Sequence, residues 1–302
     1  MTSTTVKTVS DSVTNIAEQG SSIIRDTLAA AASVVDSVKH APKEGDWIIE
    51  HITDGKVLEF PPFGHINLPS LHLYGLDISI TKHLVFMWLV AVTLIVTLSY
   101  VARQYKKSLV PKGVSNALEL FVVFVRDDIA KSTIGKGYEK FMPFLLTSFF
   151  FILFANFIGL IPYTSTVTSN ITVTAVLAVF SFFMTQIGGI QKNGVLGYFK
   201  GLVPHGIPVV FLPVIAVVEF IGLFTKPFAL AIRLFANMTA GHIVIYALIS
   251  LIFVNKSFGM AGLSIPMALF VYLLEILVAL LQAYIFTMLT SLFIGMAVHQ
   301  DH

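Results

Sequence analysis

The chain has 302 residues, of which 56% are hydrophobic and 12% charged, and its mean hydropathy is +0.84. Soluble domains carry about 25% charged residues, so this composition excludes a large soluble core and indicates an integral membrane protein. A net charge of +2 predicts no nucleic-acid partner, and the lack of cysteine excludes disulfides and thiolate metal sites. The apolar segments lack strand-like alternation, which favours helices over an outer-membrane barrel.

We predict two regions, an extramembrane extension over residues 1–82 that is partly helical and a polytopic membrane domain over residues 83–302. Within residues 1–40, apolar positions at helical spacing, such as Val6 and Val9, predict weakly amphipathic helices or a partly ordered arm. A cleaved secretory signal is the alternative. Acidic residues before its short apolar core weigh against it, and also against a mitochondrial presequence.

Residues 41–82 are polar and irregular, and we expect them to lead from outside the membrane into the first span. Histidines recur in and just after this segment, at His51, His65, His72 and His83. Their spacing is unlike that of a metal motif, so we interpret them as interfacial histidines rather than as metal ligands.

The first predicted span covers residues 84–100, which carry no charge and are about long enough to cross a bilayer. A basic cluster follows it, formed by Arg103, Lys106, Lys107 and Lys112. By the positive-inside rule this cluster lies in the cytoplasm or matrix, which places the N-terminus outside. Residues 116–129 have one apolar and one polar face and predict an amphipathic helix along the inner interface.

Four more spans are predicted, over residues 141–161, 171–190, 209–254 and 263–298. We expect Gly188 and Gly189 to end the second of these four, and Pro213 and Pro227 to break or begin helices in the third. The predicted connections are a polar outer loop at 164–170, a Gly/Pro-rich inner loop at 191–208 and an outer turn at 255–259. Five crossings from an outside start leave the C-terminus inside.

The last two segments are too long for a simple crossing. Continuous helices over residues 227–254 and 265–298 would measure roughly 40 and 50 Å, against a hydrocarbon layer of about 30 Å. We therefore expect them either to kink or to tilt steeply, and a tilted pair could present a long curved face to a partner. The predicted fold is an all-α integral membrane protein with about five embedded helical segments and one interfacial amphipathic helix.

Arg233 is the most unusual residue of the membrane domain. It lies between long apolar runs, and the nearest carboxylates in sequence are Glu219 before it and Glu275 after it. A charged guanidinium at bilayer depth costs at least about 2.5–3.5 kcal/mol, and it cannot escape this cost by losing its proton. Arg233 must therefore face water, the membrane interface or a charge on another protein.

Other polar residues share these two segments. At about 100° per residue, Asn237 lies near the Arg233 face of an ideal helix, whereas His242 lies on the opposite face. Glu275 and Gln282 share a face of the final segment. An antiparallel arrangement would bring His242 to Glu275, and a buried carboxylate beside an imidazole can pass protons near neutral pH.

Structural roles are the alternatives for these residues. Glu219 and Lys226, one heptad apart, could form an ion pair, or Lys226 could extend its amine to the interface. Asn237 could hydrogen-bond between helices, and His242, next to Gly241, could cap a helix kink.

The motif PFALAIRLFANMTAGH, with VVEFIGLFTKP before it and YLLEILVALLQAYIFTMLTSLF after it, resembles subunit a of F-type rotary ATP synthases. The run ANFIGLIPYT at residues 155–164 resembles the end of the second span in that family. The resemblance covers about residues 82–293 and leaves the first 80 or so residues uncovered. In this family an arginine faces a rotating ring of small c subunits, each with one mid-membrane carboxylate.

The resemblance implies specific roles for the polar residues. Arg233 would keep the ring carboxylate ionised and block a direct proton leak between two offset half-channels, with the last two segments steeply tilted against the ring. His242 and Glu275 would form the outer relay, in an order that resembles the mitochondrial type. Asn237 and Gln282 would position Arg233.

Glu219 would line one of the aqueous pathways. The implied partners are the ring of c subunits, the peripheral-stalk b subunits, membrane lipid and, indirectly, the F1 catalytic sector, with no cofactor and no metal. The sequence has no GxxxxGK[ST] loop, so ATP chemistry must lie on other subunits.

The function expected from the resemblance is non-catalytic proton translocation. A Na⁺-translocating version is one alternative, although an imidazole beside a carboxylate suits protons. A self-contained secondary transporter is another, and the absence of inverted repeats weighs against it. We expect a bacterial inner membrane first and a mitochondrial inner membrane second.

Overall fold

The computed structural model describes residues 25, 55, 57–60, 64–69, 72–73, 76–77, 79–107, 113–161, 164–201, 212–255 and 258–299. The helices of the membrane domain are α1 (Lys82–Lys107), α2 (Val114–Phe124), α3 (Lys131–Ile134), α4 (Met142–Gly159), α5 (Ile171–Gly201), α6 (Leu212–Asn255) and α7 (Phe258–Val298). A π-helical turn, Val125–Ala130, joins α2 to α3, and 3₁₀ turns form at Tyr138–Lys140 and Val167–Ser169.

Helices α1, α4, α5, α6 and α7 are each long and apolar enough to cross a membrane. This confirms the predicted all-α fold with five spanning segments. Helix α4 is the most enclosed, with half of its most apolar window buried inside the protein. The other four expose many large apolar side chains, as expected for helices whose surroundings are lipid or another membrane subunit.

The prediction that Gly188 and Gly189 end the third span is wrong, because α5 continues through both to Gly201. The Tyr198 ring packs so closely over Gly189 that an added Cβ would clash with it. The glycines here allow close packing rather than a helix end. Helix α5 bends instead at Gly194, whose φ of 71° lies in the left-handed region that glycine tolerates.

Helix α6 is one continuous element of 44 residues and α7 is one of 41 residues, which correspond to lengths of roughly 66 and 62 Å. The predicted break at Pro227 is wrong, because this proline lies inside α6. Membrane helices tolerate an internal proline when neighbouring groups satisfy the freed carbonyl. The continuous helices leave tilt as the way to fit these lengths to a bilayer, and the tilt itself remains a prediction.

Helices α6 and α7 pack antiparallel. Three contacts define their register, namely Lys226 with Phe293, Asn237 with Gln282 and His242 with Glu275. Because the residue numbers on α7 decrease as those on α6 increase, the beginning of α6 lies beside the end of α7. This register fixes which polar residues can meet.

The predicted amphipathic helix is present as the continuous stretch of α2, the π-helical turn and α3. Its apolar side is buried in the core, with Val125 and Ile129 fully enclosed. Its polar side carries an exposed ion pair in which Arg126 Nη2 lies 2.8 Å from Asp127 Oδ2. The hydrogen bond from Arg126 lowers the pKa of the Asp127 carboxyl. Location at the inner interface remains a prediction.

Ahead of α1 the chain forms two small antiparallel hairpins that the sequence did not predict. They pair β1 (Val57–Phe60) with β2 (Gly64–Asn67), and β3 (His72–Leu73) with β4 (Leu76–Asp77). The helices predicted within residues 1–40 lie outside the described residues, apart from Arg25, which is helical. The division into an extension over 1–82 and a membrane domain over 83–302 also remains a prediction.

Candidate functional site

Arg233 lies on the exposed face of α6. Its side chain is exposed, whereas its neighbours Ile232 and Leu234 are buried. Among the described residues, the guanidinium has no ion pair and no hydrogen bond. Because α6 is apolar enough to span a membrane, an unpaired cation on its surface needs a partner, and the described residues supply none.

Asn237, one turn after Arg233, links α6 to α7. Its side-chain Nδ2 donates a hydrogen bond to Gln282 Oε1 at 2.8 Å, and Gln282 is 2% exposed. The two amides therefore bind each other rather than Arg233. Any influence of this pair on Arg233 in the isolated chain acts through the backbone of α6.

His242 and Glu275 come together as the antiparallel arrangement predicted. Nδ1 of His242 lies 2.6 Å from Oε1 of Glu275, and the Glu275 side chain is only 3% exposed. Neither Glu275 oxygen accepts a well-directed hydrogen bond from the described residues, so the two groups meet in close contact without such a bond. The alternative role of capping a helix kink is not supported, because α6 continues past His242 without a break.

Gly241 makes this approach possible. A Cβ added at Gly241 would lie 2.6 Å from Glu275 Oε1 and 2.9 Å from its Cδ, which is too close for real atoms. The glycine thus creates the space that the carboxylate occupies. The sequence pattern marked Gly241 only as a neighbour of His242.

The second nitrogen of His242 also has a polar partner. Nε2 contacts Oγ1 of Thr166, in the segment that joins α4 to α5. The imidazole therefore lies between a hydroxyl and a carboxylate, and a neutral imidazole can accept a proton on one nitrogen and donate from the other. We call Thr166, His242 and Glu275 the outer triad, after the side on which the predicted topology would place them. The sequence pattern did not indicate Thr166, because nothing in the polar run at 164–170 shows that it is buried.

Glu219 lies at a second polar region, a cavity of about 380 Å³ between α5, α6 and α7. Lys226 lines the same cavity, but among the described residues the two form no ion pair. Instead, the Lys226 amine lies 5.6 Å from the centre of the Phe293 ring. Other polar groups complete the lining, namely Ser181, Thr185, Gln186, Tyr198 and His299. We call this space the inner cavity, after the side on which the predicted topology would place it.

The outer triad and the inner cavity lie on opposite sides of Arg233 along the helix pair. On α6, His242 follows Arg233 by about 14 Å of helix, and Glu219 precedes it by about 21 Å. The antiparallel register places Glu275 and Phe293 of α7 on the matching sides. The result is two separated polar regions with one exposed cation between them.

Comparison with known proteins places this chain in a family. The family model described as ATP synthase A chain matches residues 84–295. The chain belongs to the ATP synthase A chain family. The match contains the six polar residues predicted for the site, from Glu219 to Gln282, and it begins after the predicted extension over residues 1–82.

Individual relatives of this family agree. ATP synthase subunit a of Chloroherpeton thalassium is 54% identical over 267 residues, which cover 87% of this chain and 80% of that protein. ATP synthase subunit a of Pelodictyon phaeoclathratiforme is 48% identical over 299 residues, covering 95% and 88%. ATP synthase subunit a of Anaeromyxobacter dehalogenans is 47% identical over 273 residues, covering 85% and 71%.

The histidines near the start of the membrane domain have different surroundings. His83 is 3% exposed and contacts the 164–170 segment, and its position at the membrane interface remains a prediction. His65 and His72 lie in β2 and β3, and His51 lies outside the described residues. Within the ranges described, no three His, Asp or Glu side chains come close enough to hold a metal ion.

Proposed function

We propose that this chain is the proton-translocating stator subunit of a rotary ATP synthase, itself without catalytic activity. The observation that carries the proposal is Arg233, an exposed cation on an apolar helix surface that pairs with no described residue. A carboxylate on a neighbouring subunit would satisfy it, and the c subunits of the family's ring carry such a group at mid-membrane. The names of the bacterial relatives support the assignment.

The proposed ring-facing surface extends from Arg233 along both long helices. On α6, the exposed residues Asn237, Ala240 and Val244 follow Arg233 on this surface. Helix α7 contributes large exposed apolar side chains at Phe270, Leu274 and Leu277. Apart from Arg233 and Asn237 these residues are apolar, as a surface that slides against another membrane helix requires. The peripheral-stalk b subunits and the F1 sector complete the proposed assembly.

The proposed mechanism divides the proton path at Arg233. A proton that enters from outside passes through the outer triad and neutralises a ring carboxylate. As that carboxylate later returns to Arg233, the fixed cation stabilises its charged form, and the proton leaves through the inner cavity beside Glu219. Because the cation also repels a free proton, the two regions do not connect directly.

The transported ion in this proposal is H⁺. His242 between Thr166 and Glu275 supports a relay, since an imidazole passes protons but not Na⁺. A Na⁺-driven ring would contradict the choice of H⁺, and transport by the chain alone would contradict the stator role. The bacterial relatives support a bacterial inner membrane. The basic cluster after α1 supports an N-terminus outside and a C-terminus inside.

The test uses membranes that contain the assembled complex, with wild-type chain, Arg233→Ala or Arg233→Lys. ATP-driven proton pumping is followed with a pH-sensitive dye at low and high Na⁺. We expect wild-type pumping that is independent of Na⁺, and none with Arg233→Ala although the complex assembles. Arg233→Lys should also fail, because an amine lacks the planar fork of the guanidinium and can deprotonate when buried.

Ser250→Ala is the matched control. Ser250 is a polar residue of α6 whose hydroxyl only donates to the Ala247 carbonyl, so this variant should pump as the wild type does. Pumping that survives Arg233→Ala would make Arg233 structural and overturn the proposal. Pumping that requires Na⁺ would reject the proton assignment alone.

A further inference from the structure

The first turn of α1 holds an imidazole that the proposed mechanism does not use. His83 is 3% exposed, although it is the second residue of the first membrane span. Burying an imidazole is unfavourable unless its polar atoms find partners. Its Nε2 lies 3.1 Å from Ser165 Oγ and 3.3 Å from Ser169 Oγ. The histidine is thus packed against the same segment that supplies Thr166 to the outer triad.

Two adjacent residues of the 164–170 segment each contact a different imidazole. The Ser165 hydroxyl contacts His83, and the hydroxyl of the next residue, Thr166, contacts His242. Ser169 closes the segment by donating to the Thr166 carbonyl oxygen at 2.7 Å. Ser165 and Thr166 are 7% and 2% exposed, so this polar cluster is enclosed by protein.

The cluster lies at the proposed outer end of the helices. It includes the start of α1 and the connection from α4 to α5, and it meets α6 in the half beyond Arg233. On the other side, the Thr168 hydroxyl donates to Asn156 Oδ1 at 2.6 Å, and Asn156 Nδ2 donates to the Ala279 carbonyl. These latter bonds anchor the segment without touching either imidazole.

We propose that His83, with Ser165, forms the entry to the outer half-channel and delivers protons to the outer triad. This inference rests on the proposed function. His83 accepts a proton from the outside on one ring nitrogen and releases one from the other to Ser165 Oγ. The Ser165 hydroxyl passes its own proton through water to Thr166 Oγ1, and Thr166 passes its proton to His242 Nε2, so each hydroxyl gains one proton and loses one. The His83 ring returns to neutrality as the opposite tautomer, and a ring flip or a second exchange resets it, so one proton enters and one leaves.

The alternative is that His83 only tethers the 164–170 segment, and variants separate the two roles. His83→Gln retains a side-chain amide that can bond Ser165 but cannot relay a proton. We expect ATP-driven pumping per assembled complex to fall several-fold with His83→Gln and with His83→Ala. Added imidazole should partly restore pumping in His83→Ala. Pumping equal to wild type in both variants would overturn the inference.

Thr168→Val is the matched control for the tether. It removes a fully buried bond that anchors the same segment but leaves both imidazole contacts in place. We expect it to lower the stability of the complex without changing pumping per assembled complex. His83 would be only a tether if two results were found together. Thr168→Val would lower pumping as much as His83→Gln does, and added imidazole would not restore pumping in His83→Ala.

A second measurement does not depend on His83 variants folding. The chain has no cysteine, so Ser165→Cys introduces the single thiol of this subunit. In assembled complexes, a small thiol-reactive cation such as Ag⁺, added on the side proposed as outside, should reach this buried thiol along the proton path and inhibit pumping. Ser148→Cys, at a serine of α4 with similar burial, should stay unmodified. An unreactive Ser165→Cys with normal pumping would overturn the entry path.

Arg233→Ala in the same pumping assay keeps the two proposals apart. If Arg233→Ala pumps normally, the proposed function itself fails. If Arg233→Ala abolishes pumping while the His83 and Ser165 variants behave as wild type, only the entry path fails.

Discussion

The two polar regions on either side of Arg233 are built in different ways. In the outer triad, His242 touches Thr166 with one nitrogen and Glu275 with the other, and Gly241 leaves just enough room for the carboxylate. The inner cavity is an open space of about 380 Å³ in which Glu219 makes no ion pair with a described residue. In the proposed mechanism, proton transfer at the outer end therefore depends on direct contacts, whereas water can fill the inner end.

This contrast predicts that the outer region is the more sensitive to substitution. Glu275→Gln should have the largest effect of the variants at the two regions, because it removes the carboxylate that His242 approaches at 2.6 Å. We expect strongly slowed proton pumping that is not abolished, measured per assembled complex. Glu139→Gln, at an exposed position of the 3₁₀ turn Tyr138–Lys140, is the control. Unchanged pumping with Glu275→Gln would count against a relay.

Gly241→Ala tests the packing of the same region without changing any charge. The added Cβ would push Glu275 away from His242, and overpacking of this kind costs about 1–3 kcal/mol. We expect reduced pumping together with a lower melting temperature of the complex. Gly262→Ala, where an added Cβ meets nothing within 4 Å, should change neither quantity. Normal pumping in Gly241→Ala would show that the contact tolerates displacement.

Glu219→Gln tests the inner cavity. Since several other polar groups line that space, loss of one carboxylate should lower pumping less than Glu275→Gln does. The comparison is made in the same membranes with equal amounts of assembled complex. A larger loss with Glu219→Gln would reverse the proposed difference between the two ends.

Gln282→Leu should have the smallest effect of these four. It removes the acceptor for Asn237 Nδ2, and a hydrogen bond of this kind contributes about 0.5–1.5 kcal/mol. Asn237 is exposed on α6 and can find another partner, so we expect a small fall in thermal stability and most of the pumping retained. Complete loss of pumping would instead assign the buried amide a direct part in proton transfer.

The sequence predicted the spans well because a long run of apolar residues is stable in few environments besides a lipid bilayer. The helical period also placed Arg233 and His242 on opposite faces of α6, which agrees with one being exposed and the other contacting Glu275. An antiparallel pairing then sufficed to predict that contact. These predictions depend on local periodicity, which one sequence contains in full.

Predictions failed where one residue type serves two purposes. Gly189 could end a helix or admit a neighbour, and only the position of Tyr198 in the fold shows that it does the second. Ser165 and Thr166 have the composition of an exposed loop but are buried by α1 and α6. Their environment is set by helices distant in sequence, so local pattern could not reveal it.

The most direct test of the proposed mechanism concerns the separation of the two polar regions by Arg233. Membrane vesicles carrying the complex would be prepared with the ring cross-linked to its stator, and passive proton flux would be measured under an imposed pH gradient. With rotation blocked, the mechanism predicts no flux for the wild type and a measurable leak for Arg233→Ala. A leak in the wild type, or none in Arg233→Ala, would contradict the claim that this arginine is the barrier.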